Sequence, residues 1–220
     1  MKTDAQVQQD VMIELKWDPS VKAAIGVEVM DGVVRLSGYV DSYSKKWAAD
    51  LVAARVFGVK AVKSEEIRVR LPNSLKRPDE NIAVAASNAL EWDVSVPHDR
   101  VKVQVQNGLV TLSGEVDWWY QKNAAENAVR HLTGVVSVSN GITIKPESKP
   151  LDVVDVKHKI ESAFQRNAVL DARRITVETC GSKVILRGSV HSWAEKEQVH
   201  SAAWAAPGVS EVESHITINP

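Results

Sequence analysis

Apolar and polar residues follow a pattern that occurs three times along this chain. The segment Val33 to Val40 reads Val-Val-Arg-Leu-Ser-Gly-Tyr-Val, and related segments start at Leu109 and Lys183. The interval between copies is about 75 residues, which is too regular for chance and is typical of a tandem repeat. The predicted modules cover residues 1–71, 78–146 and 151–220.

Each module opens with a predicted amphipathic helix. Val7, Val11 and Leu15 recur at i, i+4 spacing between polar residues, so they form one apolar face. Thr3 and Gln6 match the capping-box pattern that starts a helix. The same apolar stripe recurs in the second and third modules as Ile82, Ala86, Leu90, Val156, Ile160 and Phe164.

A β-hairpin is predicted after this helix. Strict alternation from Ile25 to Val29 and the alternating residues after Val33 are separated by Asp31 and Gly32, a favoured hairpin turn. The second module has Asn and Gly at these positions. In the third module Gly181 stands one position earlier relative to the strand glycine, so we expect a different turn or a bulge there.

A second helix and a third strand complete each module. We expect a glycine after the helix to occupy the C′ position, where a positive φ is favoured. These glycines are Gly58, Gly134 and Gly208. The module order is therefore α-β-β-α-β, and the fold class is α+β: three tandem two-layer modules, each with two helices on one face of a three-stranded sheet.

The glycine of the repeated strand has a structural interpretation. Gly38, Gly114 and Gly188 follow an apolar run, where a side chain would collide with a helix or force an unfavourable φ. We therefore interpret them as positions where the strand leaves room for packing. The segment lacks the clustered glycines and following lysine of a phosphate-binding loop.

Composition narrows the functional classes. The formal net charge is -1 and no module is strongly basic, which argues against nucleic-acid binding. No apolar run approaches the roughly 18 residues of a membrane span, so we expect a soluble or peripheral protein. The single cysteine, Cys180, cannot form an internal disulfide. Without a recognisable signal peptide we expect a cytoplasmic protein, or a periplasmic one if the chain is a matured form.

Two recurring motifs resemble a known family. The strand Leu36-Ser37-Gly38-Tyr39-Val40 and the later Gly58-Val59-Lys60-Ala61-Val62 each recur in all three modules. Together they are similar to the BON domain, a name taken from bacterial OsmY and nodulation proteins. The resemblance implies an α/β module of bacterial osmotic or envelope stress proteins, with proposed binding to phospholipid membranes. It implies no catalytic residues.

Aromatic residues supply the candidate binding surface. Indole rings favour the membrane interface, but the favoured interpretation is that an aromatic residue at a helix entrance packs as a hydrophobic staple and that Trp17 and Trp92 cover the sheet edge. The cluster from Trp118 to Tyr120 is the most suspicious, because three neighbours cannot all point inward. The candidate lipid or partner residues are Trp17, Trp92, Trp118, Trp119 and Trp193.

Catalytic and metal chemistry have little support. The six histidines show no metal-binding spacing, and no histidine lies near Cys180 in sequence. We therefore expect no enzyme activity, no metal and no cofactor. The expected function is peripheral binding to phospholipid, helped by local cations such as Lys45, Lys46, Lys76 and Arg77. The alternative is a structural or assembly protein that acts through protein contacts or homo-oligomerisation, and the oligomeric state is left open.

Overall fold

The computed structural model of the chain describes residues 2–146, 153–167 and 172–219. Residues 151–152, 168–171 and 220 of the predicted third module lie outside these ranges. The first module contains α1 (Asp4–Trp17), β1 (Ile25–Met30), β2 (Val33–Val40), α2 (Tyr43–Ala54) and β3 (Ala61–Val69).

The other two modules repeat this order. The second contains α3 (Asp79–Trp92), β4 (Val101–Gln106), β5 (Leu109–Val116), α4 (Trp119–Arg130) and β6 (Ser137–Ile144). The third contains α5 (Val153–Arg166), β7 (Ile175–Cys180), β8 (Lys183–Val190), α6 (Trp193–Trp204) and β9 (Glu211–Ile218). Both the predicted α+β class and the α-β-β-α-β order are confirmed.

Each module has its own three-stranded sheet, and the repeated strand is its middle strand. The middle strand pairs antiparallel with the strand before it and parallel with the strand after it. A parallel pair needs a crossover connection, and the second helix of each module supplies it. Both helices pack on one face of the sheet, where they form a separate core in each module.

The first helix docks through the stripe that the sequence predicts. Val7, Val11 and Leu15 are buried in α1, and the equivalent residues of α3 and α5 are buried as well. At the start of α1, the Gln6 amide donates to Thr3 Oγ1 and the Thr3 amide donates to Gln6 Oε1, so the capping box is confirmed.

The hairpin turns differ as the glycine spacing predicts. Asp31 and Gly32 both have positive φ, 53° and 78°, as in a type I′ turn. In the third module the turn residues are Gly181 and Ser182, and of these two Gly181 alone has a positive φ, 60°, as in a type II′ turn. The register is kept, because Cys180 pairs with Lys183 as Met30 pairs with Val33. A change of turn type therefore absorbs the shifted glycine without a bulge.

The glycine of the middle strand is required by a backbone contact. Gly38, Gly114 and Gly188 have φ of 128°, 138° and 136°, where side chains are strained. A Cβ atom on Gly38 would lie 2.8 Å from the carbonyl oxygen of Ala24, just before the neighbouring strand. At Gly114 it would meet the Arg100 carbonyl oxygen. The structural interpretation holds, but the close neighbour is strand backbone and not a helix.

The expectation that Gly58 closes the second helix is wrong. Helix α2 ends at Ala54 with Arg55 as its C-cap, and Gly58 lies three residues further on at φ 103°. A Cβ atom there would lie 2.8 Å from Cγ2 of Val7. Gly58 therefore turns the chain closely past the first helix, and Gly134 does the same beside Ile82.

Replacement of the strand glycine should therefore destabilise a module strongly. We expect Gly114→Ala to lower the free energy of unfolding by at least about 2 kcal/mol, because it adds a strained φ to a backbone collision. Gly26→Ala is the matched control, since the close neighbour of its Cβ is the rotatable Ser37 hydroxyl at 2.7 Å, and the Ser37 carbonyl oxygen lies at an ordinary 3.7 Å. Urea unfolding of both variants checks this, and equal losses would contradict the account.

Candidate functional site

The candidate tryptophans do not form a single site. Trp17 and Trp92 are 81% and 88% exposed, whereas Trp118, Trp119 and Trp193 are partly buried. Exposure this high excludes the interpretation in which Trp17 and Trp92 cover a sheet edge. The structure therefore separates the five candidates into two exposed residues, two at a contact between modules and one on a module core.

Trp17 and Trp92 end the first helices of modules one and two, and each begins a short exposed loop. We name residues 17–20 and 92–95 the Trp loops. Each contains an aspartate that folds the loop back: Asp18 Oδ1 accepts from the Ser20 amide at 2.9 Å, and Asp93 Oδ1 accepts from the Ser95 amide at 2.9 Å. An indole side chain is thus held outward at the same place in both modules.

Further apolar side chains accompany these indoles. Val94 in the second Trp loop is fully exposed, and Pro19 holds the same position in the first. Met12 and Ile13, which precede the first loop in α1, are also exposed. Exposed apolar groups that cluster on a surface commonly mark a site of contact with lipid or with another protein.

The first Trp loop is anchored to the second helix of its module. Arg55 lies 2.9 Å from Asp18 and 2.8 Å from Glu14. Hydrogen bonds from the Ser20 side chain and amide, together with Arg55, hold the pKa of Asp18 below its usual value. The loop therefore keeps its aspartate ionised and its backbone fixed while Trp17 stays outside.

The third module has Arg166 at the position of Trp17 and Trp92. Its first helix ends at Arg166, and Asn167 Nδ2 donates to Gln198 Oε1 on α6 at 3.3 Å. A charged residue therefore stands where the other two modules present an indole. Only modules one and two therefore present an exposed indole at the end of their first helix.

Trp119 lies at the junction between modules two and three. Its ring stacks on Trp204 of α6, with centroids 6.1 Å apart and planes at 14°. His200 packs edge-on against both rings. Trp118 and Tyr120 stand beside this contact, and Tyr120 is 55% exposed.

The junction between modules one and two uses equivalent positions. Tyr43 starts α2 as Trp119 starts α4, and Tyr43 packs against the core of the second module. Arg130, which corresponds to Trp204, is only 4% exposed and its guanidinium lies 3.9 Å from the centre of the Trp47 ring. Burial raises the pKa of Tyr43, and the nearby Glu126 carboxylate adds to this effect.

Trp193 has a different position again. It is partly buried and packs against the core of its own module, as the hydrophobic-staple interpretation expects. It therefore presents little of its ring to a ligand. Its role as a binding residue stays a prediction that its packing does not favour.

Sequence reasoning missed four junction residues: Trp47, Arg130, His200 and Trp204. A signal was present, because none of them is shared by the three modules. The positions equivalent to Trp47, for example, hold Asn123 and Glu197. In a repeat, a large side chain found in one copy alone indicates a contact that is particular to that copy.

Three features of the described residues bear on function by their presence or absence: metal-ligating clusters, free cysteines and membrane-spanning helices. The described residues contain no group of three or more His, Cys, Asp or Glu side chains placed to hold a metal ion. Cys180 is exposed at the turn of the third hairpin. None of the described helices is long and apolar enough to cross a bilayer.

Comparisons with known proteins agree with the repeat. The BON domain model matches residues 3–70, 78–146 and 152–220. A curated relative, Osmotically-inducible protein Y of Escherichia coli (strain K12), is 33% identical over 147 residues, which is 64% of this chain and 73% of that protein.

Two solved structures show weak similarity. CdsD, a structural protein of the Type III secretion system of Chlamydia trachomatis, aligns at 13% identity and a TM-score of 0.28, covering 98% of this chain and 93% of that one. The PrgH periplasmic domain aligns at 11% identity and a TM-score of 0.22, covering 96% and 100%. Scores this low support no conclusion about this chain.

The junction between modules two and three should depend on pH through His200. Burial lowers the pKa of His200, and Trp204 Nε1 donates to His200 Nε2 at 3.3 Å, which requires that this nitrogen be unprotonated. Below about pH 6.5 the unfolded chain binds a proton at this histidine that the folded chain resists. The free energy of unfolding should therefore fall as pH is lowered from 7 towards 5.

Two variants isolate this contribution. In His200→Gln an amide oxygen can still accept from Trp204 but does not titrate, so the pH dependence should flatten. His98→Gln, at an exposed histidine outside the junction, is the matched control and should keep the slope of the parent. Urea unfolding at several pH values measures both slopes, and a His200→Gln slope equal to the parent slope would contradict the assignment.

Proposed function

The chain belongs to the BON domain family, and we propose that it is a non-enzymatic, stress-associated protein that binds phospholipid membrane surfaces peripherally. Family membership supports the non-enzymatic part, and the similarity to Osmotically-inducible protein Y supports the osmotic-stress part. The observation that carries the membrane part is the exposure of Trp17 and Trp92 at equivalent positions.

The energetics favour joint action of the two Trp loops. An indole side chain buries about 150–250 Å² at most, which at about 25 cal/mol per Å² is an upper limit of about 4–6 kcal/mol. Association costs at least about 4 kcal/mol of lost translational and rotational freedom. One loop alone is therefore marginal, while two loops that reach the same membrane surface share a single association cost.

Electrostatic attraction between lysines and anionic lipid contributes less to the affinity than insertion of the indoles does. Lys16 and Lys22 are exposed beside the first Trp loop and line a groove with Met12. Lys45 and Lys46, which the sequence suggested, are already engaged: Lys45 pairs with Asp41 at 2.7 Å, and Lys46 donates to the Ile67 carbonyl at 3.0 Å. Because each nearby cation adds only about 1 kcal/mol on an anionic surface, aromatic insertion supplies most of the affinity.

Vesicle co-sedimentation tests the proposal. The full chain should bind vesicles of phosphatidylglycerol and phosphatidylethanolamine at low salt, and Trp17→Ser or Trp92→Ser should weaken binding about ten-fold or more, since each removes well over 1.4 kcal/mol of insertion energy. The double variant should not bind. Met30→Ser, which removes an apolar residue that is 70% exposed outside the Trp loops, is the matched control and should bind as the parent does.

Two results would contradict this function. Failure of the parent chain to bind at low salt removes membrane binding altogether. Equal binding by the double tryptophan variant and the parent removes the Trp loops from the mechanism.

The alternative is a structural or assembly protein that acts through protein contacts or homo-oligomerisation. The same exposed indoles favour it, together with the first strand of each module, which lies at an edge of its sheet and can pair with another chain. Light scattering after size-exclusion chromatography separates the two hypotheses. A mass that rises with concentration, and returns to monomer in the double tryptophan variant, favours assembly.

A further inference from the structure

The two junctions between modules use the same positions but are filled differently. At each junction the start of one second helix meets the end of the next, through Tyr43 and Arg130 in one case and Trp119 and Trp204 in the other. Because the modules are repeats, side chains at equivalent positions can be compared directly. The comparison shows which space each junction fills with its own residues.

The first junction is filled by rings. The Trp47 ring lies under the Arg130 guanidinium and meets the His131 ring edge-on, with centroids 6.4 Å apart. The Ser44 hydroxyl donates to the Arg130 carbonyl at 3.4 Å. Ser42 and Ser44, at the start of α2, have small side chains. The space beside them is occupied by the His131 imidazole and the Trp47 indole.

The second junction also contains packed rings, Trp119, Trp204 and His200, but they stand at other positions. The positions of Trp47 and His131 hold Asn123 and Ala205, so both rings are missing there. The positions of Ser42 and Ser44 hold the large side chains of Trp118 and Tyr120, which form two sides of a groove. The result is an open groove of about 520 Å³, lined by Trp118, Trp119, Tyr120, Ser201, Trp204 and Ala205.

The chemistry of this groove is aromatic and uncharged. Three indoles and a phenol line it, and their N–H and O–H groups, with the Ser201 hydroxyl, are the polar side-chain groups of the lining. Aromatic walls accept another ring in stacked or edge-on geometry with centroids about 4.5–7 Å apart. A volume of about 520 Å³ lies within the range of small-ligand sites and exceeds the volume of a single indole.

We propose that this groove binds an aromatic side chain presented by a partner polypeptide. The first junction supplies the reason, because there the equivalent space is filled by aromatic side chains of a polypeptide, in edge-on contact. The partner's ring takes the place that His131 takes in the first junction and packs between the Trp118 and Tyr120 walls. This site is separate from the Trp loops and does not depend on membrane binding.

Fluorine NMR of the full chain labelled with 5-fluorotryptophan tests the site. The probe is N-acetyl-tryptophanamide, and single Trp→Phe variants assign the resonances. We expect saturable shifts at Trp118, Trp119 and Trp204, with no shift at Trp17, Trp47 or Trp92. N-acetyl-leucinamide, which is apolar but not aromatic, should bind at least ten-fold more weakly.

A filling variant gives the decisive comparison. Ala205→His restores the ring of the first junction and should weaken probe binding at least ten-fold, while the circular dichroism spectrum and the urea midpoint stay those of the parent. Ala194→His, at an exposed position near the start of α6, should leave binding unchanged.

Three outcomes with the probe and its variants overturn the proposal, and a fourth concerns a sugar. They are an absence of saturable shifts, an equal response to N-acetyl-leucinamide, and unchanged binding in Ala205→His. Shifts of the same resonances by methyl β-glucoside but not by N-acetyl-tryptophanamide would also overturn it, because the groove would then recognise a sugar ring.

Discussion

One sheet face and two helices must supply the whole core of each module of about 70 residues, and the rest of the structure depends on this constraint. The middle strand of each module runs through that core. Its glycine lies against the backbone of the residue that precedes the neighbouring strand, and at Gly114 this contact leaves no room for a side chain. Modules this small bury a modest share of their surface. Side chains outside the core are therefore available for junctions and for binding.

Position, and not residue type, decides what each tryptophan does. An indole at the end of a first helix stays exposed, as Trp17 and Trp92 do. An indole at the start of a second helix meets the next module, as Trp119 does. At the equivalent position of the third module, Trp193 packs on the core of its own module.

The fold was predictable because repetition tests each pattern three times. The helix stripes, the capping box and the turn change at Gly181 all rest on local periodicity or local φ, which the sequence carries directly. Gly58 was misplaced because its constraint comes from Val7, a contact distant in sequence. The junctions were not predictable for the same reason: Trp47 and Arg130 meet only after two modules have folded.

Quenching of tryptophan fluorescence by brominated lipids tests the central claim, that the Trp loops enter the membrane while the junction indoles stay in the protein. Phenylalanine keeps apolar contact but does not report, so Trp17→Phe with Trp92→Phe should bind vesicles and lose nearly all quenching. Trp119→Phe should retain the quenching of the parent. Quenching in the Trp17→Phe, Trp92→Phe variant that equals the parent value would contradict the account.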